Sequence, residues 1–165
     1  MRFEIVKKLE EDLEKLNREL RIDLPKELQK AAAYGDLSEN AEYDAAKQRK
    51  MFVESRIGQL QKRISEITSI NLRSIPQDKV GLGSRLILSD LDSDEEVIYT
   101  FVFPEEVDPE NGKISLASPI GKSLVGKEEG DEVTVITPKG RRKFEIIELK
   151  TIHDLAADTN PPEAP

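Results

Sequence analysis

The first half of this chain carries apolar residues at heptad spacing, a pattern that restricts it to helices paired along a narrow seam. One run, spaced 3, 4, 3, 4, consists of Val6, Leu9, Leu13, Leu16 and Leu20. A second run, spaced 4, 3, 4, 3, consists of Val53, Ile57, Leu60, Ile64 and Ile67. Such spacing buries one stripe of a helix against a partner helix. The two runs therefore predict two helices that pack against each other.

A short turn separates the two predicted helices. The first run breaks at Gly35, and the second helix is predicted from about Ser38 to Thr68. Helices of similar length joined by so short a turn fold back on each other. Residues 1–73 are therefore predicted to form an antiparallel coiled-coil hairpin about 45 Å long, at ~1.5 Å rise per residue. Pro25 lacks a backbone donor and is expected to kink or interrupt the first arm.

The second half of the chain changes to strand periodicity. Strand signals lie at 85–88, 97–103, 113–117, 132–137 and 143–149. With one short helix after Ser118, they predict a small α+β domain over residues 83–150, built on an antiparallel sheet. A stretch with Gly and Pro predicts a linker over 74–82, and the prolines near the end predict a disordered tail over 151–165.

Composition limits the partners of the chain. Its 33 acidic and 25 basic residues give a net charge of -8, so free binding to a phosphate backbone is not expected. The absence of cysteine excludes disulfides and cysteine-based zinc sites. The single histidine, His153, is expected to be solvated rather than a ligand. Without an apolar signal core or a run of membrane-spanning length, the chain is expected to be cytoplasmic, with no membrane partner.

The turn between the helices has a structural interpretation. Gly35 suits a helix C-cap, Asp36 can cap the next helix, and Glu39 completes a capping box three residues later. Acidic residues in a first helical turn also favour the helix dipole. These features alone account for a well-formed helical hairpin.

The same turn has a functional interpretation. Four acids follow Gly35 with no Lys or Arg before Lys47: Asp36, Glu39, Glu42 and Asp44. Their mutual repulsion favours an answering cation or partner. Apolar Leu37 has little to bury against at the end of an arm. Because Asp36 and Glu39 are three residues apart, both can point to one side, where they could complete a Mg²⁺ site with ligands from a partner.

Basic residues follow the acidic turn, namely Lys47, Arg49, Lys50 and Arg56. One interpretation is a solvated face that forms salt bridges to the first helix. The other is a surface for RNA phosphates.

Three strings in the chain resemble the GreA/GreB family of transcript cleavage factors. They cover residues 35–47, with the sequence GDLSENAEYDAAK, and residues 91–96 and 118–131. The resemblance spans about Val6 to Leu149 in the family's order. It departs from the family in a first arm that looks short and a tail that looks long.

This resemblance implies a fold and a function. The second domain would be FKBP-like and would dock at the secondary channel of bacterial RNA polymerase through Ser118, Pro119 and Ile120. The coiled coil would enter the channel, where Asp36 and Glu39 would hold the second catalytic Mg²⁺ jointly with the polymerase. The nascent RNA 3′ end of a backtracked complex would be cleaved, with Lys47 in the patch that contacts RNA. The other motif residues would support the tip: Gly35, Leu37, Ser38, Asn40, Glu42 and Tyr43.

The protein is expected to be a monomer. By the same resemblance it would not itself be an enzyme, because most of the catalytic site would belong to the polymerase. Three alternatives stay open. A Gre-like inhibitor would bind polymerase without cleavage. A prolyl isomerase would need an aromatic-lined pocket in the second half. A structural coiled-coil adapter would explain the seams but leave the acidic turn unexplained.

Overall fold

The computed structural model describes residues 3–35 and 40–159 of the chain. The chain divides into two compact units, Met1–Ile70 and Asn71–Pro165. The division falls a few residues before the predicted boundary at 73/74. Asp36, Leu37, Ser38 and Glu39 lie outside the described residues, so the predictions for these four side chains rest on the sequence alone.

The first unit is a helical hairpin. One arm consists of α1 (Glu4–Arg18), a π-helical turn (Glu19–Asp23) and α2 (Leu24–Ala32), and the other arm is α3 (Ala41–Thr68). Leu24, Val53 and Ile57 form a buried cluster, against which Leu13, Leu16 and Leu20 pack. The predicted seam is therefore formed across the two arms. Contacts of Asn40 with Ala31 and of Arg49 with Glu19 run in opposite chain directions, so the arms are antiparallel.

The π-helical turn is the response of the first arm to Pro25. The Leu24 N–H donates to the Glu19 carbonyl, five residues earlier, instead of the usual four. Proline has no N–H, and its ring crowds the carbonyl four residues before it. A wider turn just ahead of the ring relieves that crowding. The predicted interruption is thus a π-helical turn that joins α1 directly to α2.

The second unit is built on a five-stranded sheet. Its strands are β1 (Arg85–Asp90), β2 (Glu96–Val102), β3 (Lys113–Ser115), β4 (Glu132–Thr137) and β5 (Gly140–Lys150), in the order β3-β2-β1-β5-β4. The pairings β1–β2, β1–β5 and β4–β5 are antiparallel, whereas β2–β3 is parallel. The α+β class is confirmed, but the prediction of a purely antiparallel sheet is corrected at β3. Two short 3₁₀ turns (Pro104–Glu106 and Pro109–Asn111) redirect the chain so that β3 runs with β2.

One face of the sheet and the short helix α4 (Pro119–Leu124) enclose the core of this unit. The core contains Val80, Leu86, Leu88, Phe101, Ile114, Leu124, Val133, Val135, Phe144 and Ile146. Val80 comes from the predicted linker over 74–82, so that stretch is part of the folded unit rather than a free connection. Phe101 and Phe144 are core residues, and Tyr99 packs against the core. These aromatic rings therefore do not line the open pocket that the prolyl isomerase alternative requires.

The end of the described chain forms another helix, α5 (Ile152–Thr159), where the sequence predicted a disordered tail over 151–165. Thr151 begins it, since its N–H and its Oγ1 donate to Asp154 Oδ2 at 2.8 and 3.0 Å. Ile152 is buried against Gly83, where an added Cβ would lie 2.9 Å from the isoleucine side chain. His153 Nε2 lies 2.8 Å from the Ile75 carbonyl, so the prediction of a solvated histidine is also corrected. The contacts of Ile152 with Gly83 and of His153 with Ile75 join residues far apart in the chain, which composition does not reveal.

None of the helices within residues 3–35 and 40–159 has the length and apolar character that crossing a membrane requires.

Candidate functional site

Asn40 fastens the two arms together at the end of the hairpin. Its Oδ1 accepts from the Tyr43 N–H at 3.1 Å, which caps the first turn of α3. Its Nδ2 donates to the Ala31 carbonyl in the last turn of α2 at 2.6 Å. Helix ends leave backbone donors and acceptors without partners inside the helix. One side chain thus satisfies a group at each helix end and fixes the separation of the arms.

The N-cap role predicted for Asp36 is corrected by this arrangement. The helix begins at Ala41 with Asn40 as its cap, so neither Asp36 nor Glu39 is needed for that purpose. Gly35 has a φ of 128°, a conformation that side-chain-bearing residues rarely adopt. Gly35 and Asn40 therefore bracket the four acidic-turn residues at 36–39 with a special backbone position on one side and a cap on the other.

Two of the predicted tip residues, Glu42 and Tyr43, lie in the first turn of α3. Glu42 is exposed, as is Asp44, and both lie where the helix dipole favours negative charge. Glu42 also lines an open groove of about 500 Å³ between α2 and α3, with Tyr34 and Arg49. Among the described residues, no group of three or more His, Asp or Glu side chains is placed to hold a metal ion.

Arg49, a predicted RNA contact, instead joins the two arms. Its Nε lies 2.6 Å from Glu19 Oε1, and its second guanidinium nitrogen lies 3.0 Å from Glu19 Oε2. This two-pronged geometry is the strong form of a charge-assisted hydrogen bond. The hydrogen bonds from Arg49 hold the pKa of Glu19 below its ordinary value, and those to Glu19 raise the pKa of Arg49. Arg49 therefore forms a salt bridge to the first arm, as the structural interpretation of the basic stretch predicts.

The four predicted RNA contacts do not share one face of α3. At 3.6 residues per turn, residues three, four and seven positions apart lie on the same side of a helix. Flank one, as we name it here, consists of Arg49, Phe52 and Arg56. Flank two consists of Tyr43, Lys47 and Lys50. The predicted surface for RNA phosphates is thus divided between two sides of the helix.

Flank two keeps its lysines near intramolecular partners. Lys47 Nζ lies 5.5 Å from the centroid of the Tyr43 ring, and Lys50 Nζ lies 4.0 Å from Glu54 Oε1. On flank one, a guanidinium nitrogen of Arg56 lies 3.3 Å from the neutral Gln59 Oε1. Lys47 and Arg56 therefore have no carboxylate in salt-bridge contact among the described residues.

Phe52 is a surface residue that sequence reasoning overlooked. It is 57% exposed, and its ring centroid lies 5.1 Å from the guanidinium carbon of Arg49. Its neighbour Met51 is 69% exposed. The signal was present in the sequence, because Phe52 directly precedes the seam residue Val53 and so cannot point into the seam.

The predicted docking residues lie at the start of α4 in the second unit. Ser118 Oγ accepts from the Gly121 N–H at 3.0 Å and donates to the Ser115 carbonyl at 2.6 Å. Pro119 is exposed, whereas Ile120 packs partly against the core. Gly121 leaves no room for a side chain, since an added Cβ would lie 2.6 Å from the Leu116 carbonyl oxygen. The three docking residues are thus presented on a tightly fitted loop.

The acidic string at 91–96 forms the turn between β1 and β2, and Asp90 organises it. Asp90 is buried, accepts from the N–H groups of Asp92 and Ser93 at 2.9 and 3.3 Å, and pairs with Arg142. The hydrogen bond from the Asp92 N–H, with those from Ser93 and Arg142, holds the pKa of Asp90 below its ordinary value. This part of the family-like sequence therefore has a structural role.

Comparison with known proteins matches both units to one family. The model for the N-terminal region of transcription elongation factors matches residues 3–68, and the model for the C-terminal region of GreA/GreB matches residues 75–151. The transcription elongation factor GreA of Desulfotalea psychrophila is 46% identical over 88% of this chain and 90% of its own length. GreA of Chloroherpeton thalassium is 46% identical over 87% of this chain and 90% of its own length.

Among solved structures, GreA factor homolog 1 of Thermus thermophilus is 33% identical to this chain. The match covers 87% of this chain and 93% of that one, with a TM-score of 0.40. The family assignment rests on the sequence matches.

Proposed function

This chain belongs to the GreA/GreB family of transcription elongation factors, and from that premise we propose that it stimulates transcript cleavage by RNA polymerase. In this proposal the helical hairpin enters the secondary channel of bacterial RNA polymerase. There it promotes Mg²⁺-dependent cleavage at the 3′ end of backtracked RNA, and transcription resumes from the new 3′ end.

The observation that carries this proposal is the pair of hydrogen bonds by which Asn40 joins the two arms at the end of the hairpin. Asn40 ties α2 to α3 immediately after the acidic turn in the sequence, at the end of the hairpin. Asp36 and Glu39 belong to the acidic turn by sequence. A pair of carboxylates at the end of a long arm suits delivery into a site that the rest of the protein does not enter.

Asp36 and Glu39 are the residues of this chain that would hold Mg²⁺, jointly with carboxylates of the polymerase. Carboxylate oxygens are the ligands that Mg²⁺ prefers, and a second ion adds charge stabilisation at a phosphodiester under attack. Two carboxylate ligands from this chain would leave the other coordination positions of the Mg²⁺ to polymerase ligands and water. The Asn40 fastener supplies positioning, because it limits how far the two arms can separate at the acidic turn.

We propose the following roles for the remaining site residues. Lys47 and Lys50 on flank two would contact RNA phosphates, in keeping with the position of Lys47 in the family motif. Arg49 is reassigned to holding the arms together through Glu19. Ser118, Pro119 and Ile120 would dock on the polymerase.

We further propose that the protein acts as a cytoplasmic monomer and leaves the chemistry to the polymerase. The cleaved bond would lie in the polymerase active site, to which this chain adds ligands and positioning. No group of this chain outside the acidic turn is required to exchange a proton.

The direct test is RNA cleavage in stalled, backtracked polymerase complexes at fixed Mg²⁺, with and without the protein. The proposal expects faster shortening of the transcript from its 3′ end. Binding to polymerase with no acceleration would replace it with the inhibitor alternative. An absence of binding would remove polymerase as the partner.

A further inference from the structure

A groove on flank one of the helical hairpin has no role in the function proposed above. Its volume is about 290 Å³, and it is lined by Asp12, Lys15, Leu16, Phe52, Arg56 and Leu60. It lies between α1 and α3, on the side of α3 away from Lys47. We propose that this groove binds a nucleotide of single-stranded RNA, with the base stacked on Phe52 and the adjoining phosphate paired with Arg56.

The apolar surface of the groove is that of a stacking platform. Phe52 is more than half exposed, although a ring of its size would normally be buried in a seam or a core. Arg49 lies over the ring at 5.1 Å and is itself anchored by Glu19, so the ring is held against a fixed cation. Leu16 and Leu60 supply apolar surface beside the ring. Aromatic rings of this kind stack on any base because every base presents a π-face.

The charge around the groove favours a polyanion. Arg56 lies one helical turn beyond Phe52, and among the residues that the structure describes its polar partner is the neutral Gln59 side chain. Lys15 stands on the opposite arm, 3.9 Å from Asp12, which offsets part of its charge. The groove therefore combines an aromatic ring with a guanidinium that has no carboxylate partner within the described part of the chain. This combination of aromatic ring and cation is typical of surfaces that bind single-stranded nucleic acid.

Free RNA is not the expected ligand, because the whole chain carries a net charge of -8. The inference therefore rests on the proposed function, which brings the extruded 3′ segment of a backtracked transcript alongside α3. Phe52 lies eleven residues beyond the start of α3, or roughly 16 Å along the helix axis. Only an extruded segment long enough to run back over that distance reaches the groove. Short extruded segments would end before it.

The test compares two sets of backtracked complexes, with short and long extruded segments, and three variants. Phe52→Leu keeps apolar cover but removes the ring, Phe52→Tyr keeps the ring, and Met51→Leu is the matched control at an exposed apolar position on another side of α3. For each, the protein concentration that gives half-maximal cleavage is measured. Polymerase affinity is measured separately by displacement of labelled wild-type protein.

We expect Phe52→Leu to raise the half-maximal concentration about tenfold with long segments and not with short ones, a stacking-sized effect. Phe52→Tyr and Met51→Leu should behave like the wild type. A second readout places 4-thiouridine in the long extruded segment, where photocrosslinks should map to residues 49–56 and be lost in Phe52→Leu. Equal losses with both segment lengths would show that Phe52 contacts polymerase or supports the hairpin, and would overturn the RNA assignment.

The two proposals fail in distinguishable ways. If the wild-type protein accelerates cleavage but crosslinks avoid residues 49–56, the groove assignment is wrong and the proposed function stands. If the wild-type protein binds polymerase without accelerating cleavage, the proposed function fails, while the crosslinks still decide whether RNA occupies the groove.

Discussion

The helical hairpin and the sheet unit are stabilised by different means. The sheet unit encloses a continuous core, and its backbone approaches itself so closely at Gly112 and Gly121 that no side chain fits there. The hairpin buries a narrow seam and adds discrete fasteners, Asn40 at its end and the Glu19–Arg49 pair along its length. Most of the surface of α3 is consequently exposed rather than buried in the seam. Such a surface can carry rings and charges for a partner, whereas the sheet unit can do so only at its loops.

The largest expected effect lies in the sheet unit. Gly121→Ala places a methyl group against the backbone carbonyls of Ser115 and Leu116, which cannot move without distorting β3 and α4. Overpacking of this kind costs about 3 kcal/mol of unfolding free energy. Hydrogen exchange should accelerate throughout β1 to β5 and remain unchanged in α3.

The matched control for that substitution is Gly58→Ala in the hairpin. Gly58 has nothing within 4 Å of an added Cβ, so alanine should stabilise α3 by up to ~1 kcal/mol through helix propensity. If both substitutions destabilised their units to the same degree, the contrast between a tightly packed sheet unit and a loosely packed hairpin would be wrong.

The pH dependence of stability at Asp90 tests the tight packing of the sheet unit in a second way. Its pKa is lowered in the folded protein, so the stability it contributes is present above the ordinary carboxylate pKa and is lost as the pH falls through the lowered value. Asp90→Asn removes the pairing with Arg142 and should lower the melting temperature of the sheet unit at neutral pH. The acid-induced loss of stability should also become shallower in the variant than in the wild type. Identical acid profiles would assign the pH dependence to other carboxylates.

Asn40 tests the fastener at the end of the hairpin. Asn40→Ala removes both the cap of α3 and the bond to Ala31, and should cost about 1–2 kcal/mol of hairpin stability. Asn40→Asp keeps the capping oxygen but loses the donor to Ala31, so it should retain the helix start while loosening the junction with α2. Hydrogen exchange of residues 29–46 measures the difference. Exchange in Asn40→Asp equal to that of the wild type would mean that the bond to Ala31 contributes nothing, and equal exchange in the two variants would mean that the cap contributes nothing.

The smallest expected effect belongs to the pair of Glu19 and Arg49, because both side chains are partly exposed to solvent. Glu19→Gln should slightly accelerate hydrogen exchange near the π-helical turn, and the difference from wild type should shrink as salt is added. Arg49→Lys, which keeps the charge but not the two-pronged geometry, should give part of the same change. A larger effect than that of Asn40→Ala would reverse the order of the two fasteners.

Periodicity predicted much of this fold because it reports local burial. The heptad spacing identified the seam residues Val53 and Ile57 and the leucines of the first arm that pack against them, and alternation located the strands within a few residues. The direction of β3 and the helix α5 depend on contacts between distant residues. Gly83 against Ile152 is one such contact, and no local pattern encodes it.

The candidate site was predictable in composition but not in geometry. A basic stretch on a helix gives no indication of which cation is already paired. Arg49 proved to be held by Glu19, thirty residues away in the chain, across a seam interrupted by a π-helical turn. Phe52 could have been identified from its position beside the seam. The roles of Asp36 and Glu39 stay predictions of the sequence motif.

The most direct measurement of the central proposal separates the chemistry of the acidic turn from binding to polymerase. It compares the wild type with the double variant Asp36→Ala, Glu39→Ala in backtracked complexes, following RNA cleavage and polymerase affinity over a range of Mg²⁺ concentrations. If the two carboxylates supply metal ligands, the variant binds polymerase with nearly unchanged affinity, and its stimulation of cleavage is lost at every Mg²⁺ concentration. A double variant that still accelerates cleavage at the wild-type rate would contradict the proposed role of the acidic turn.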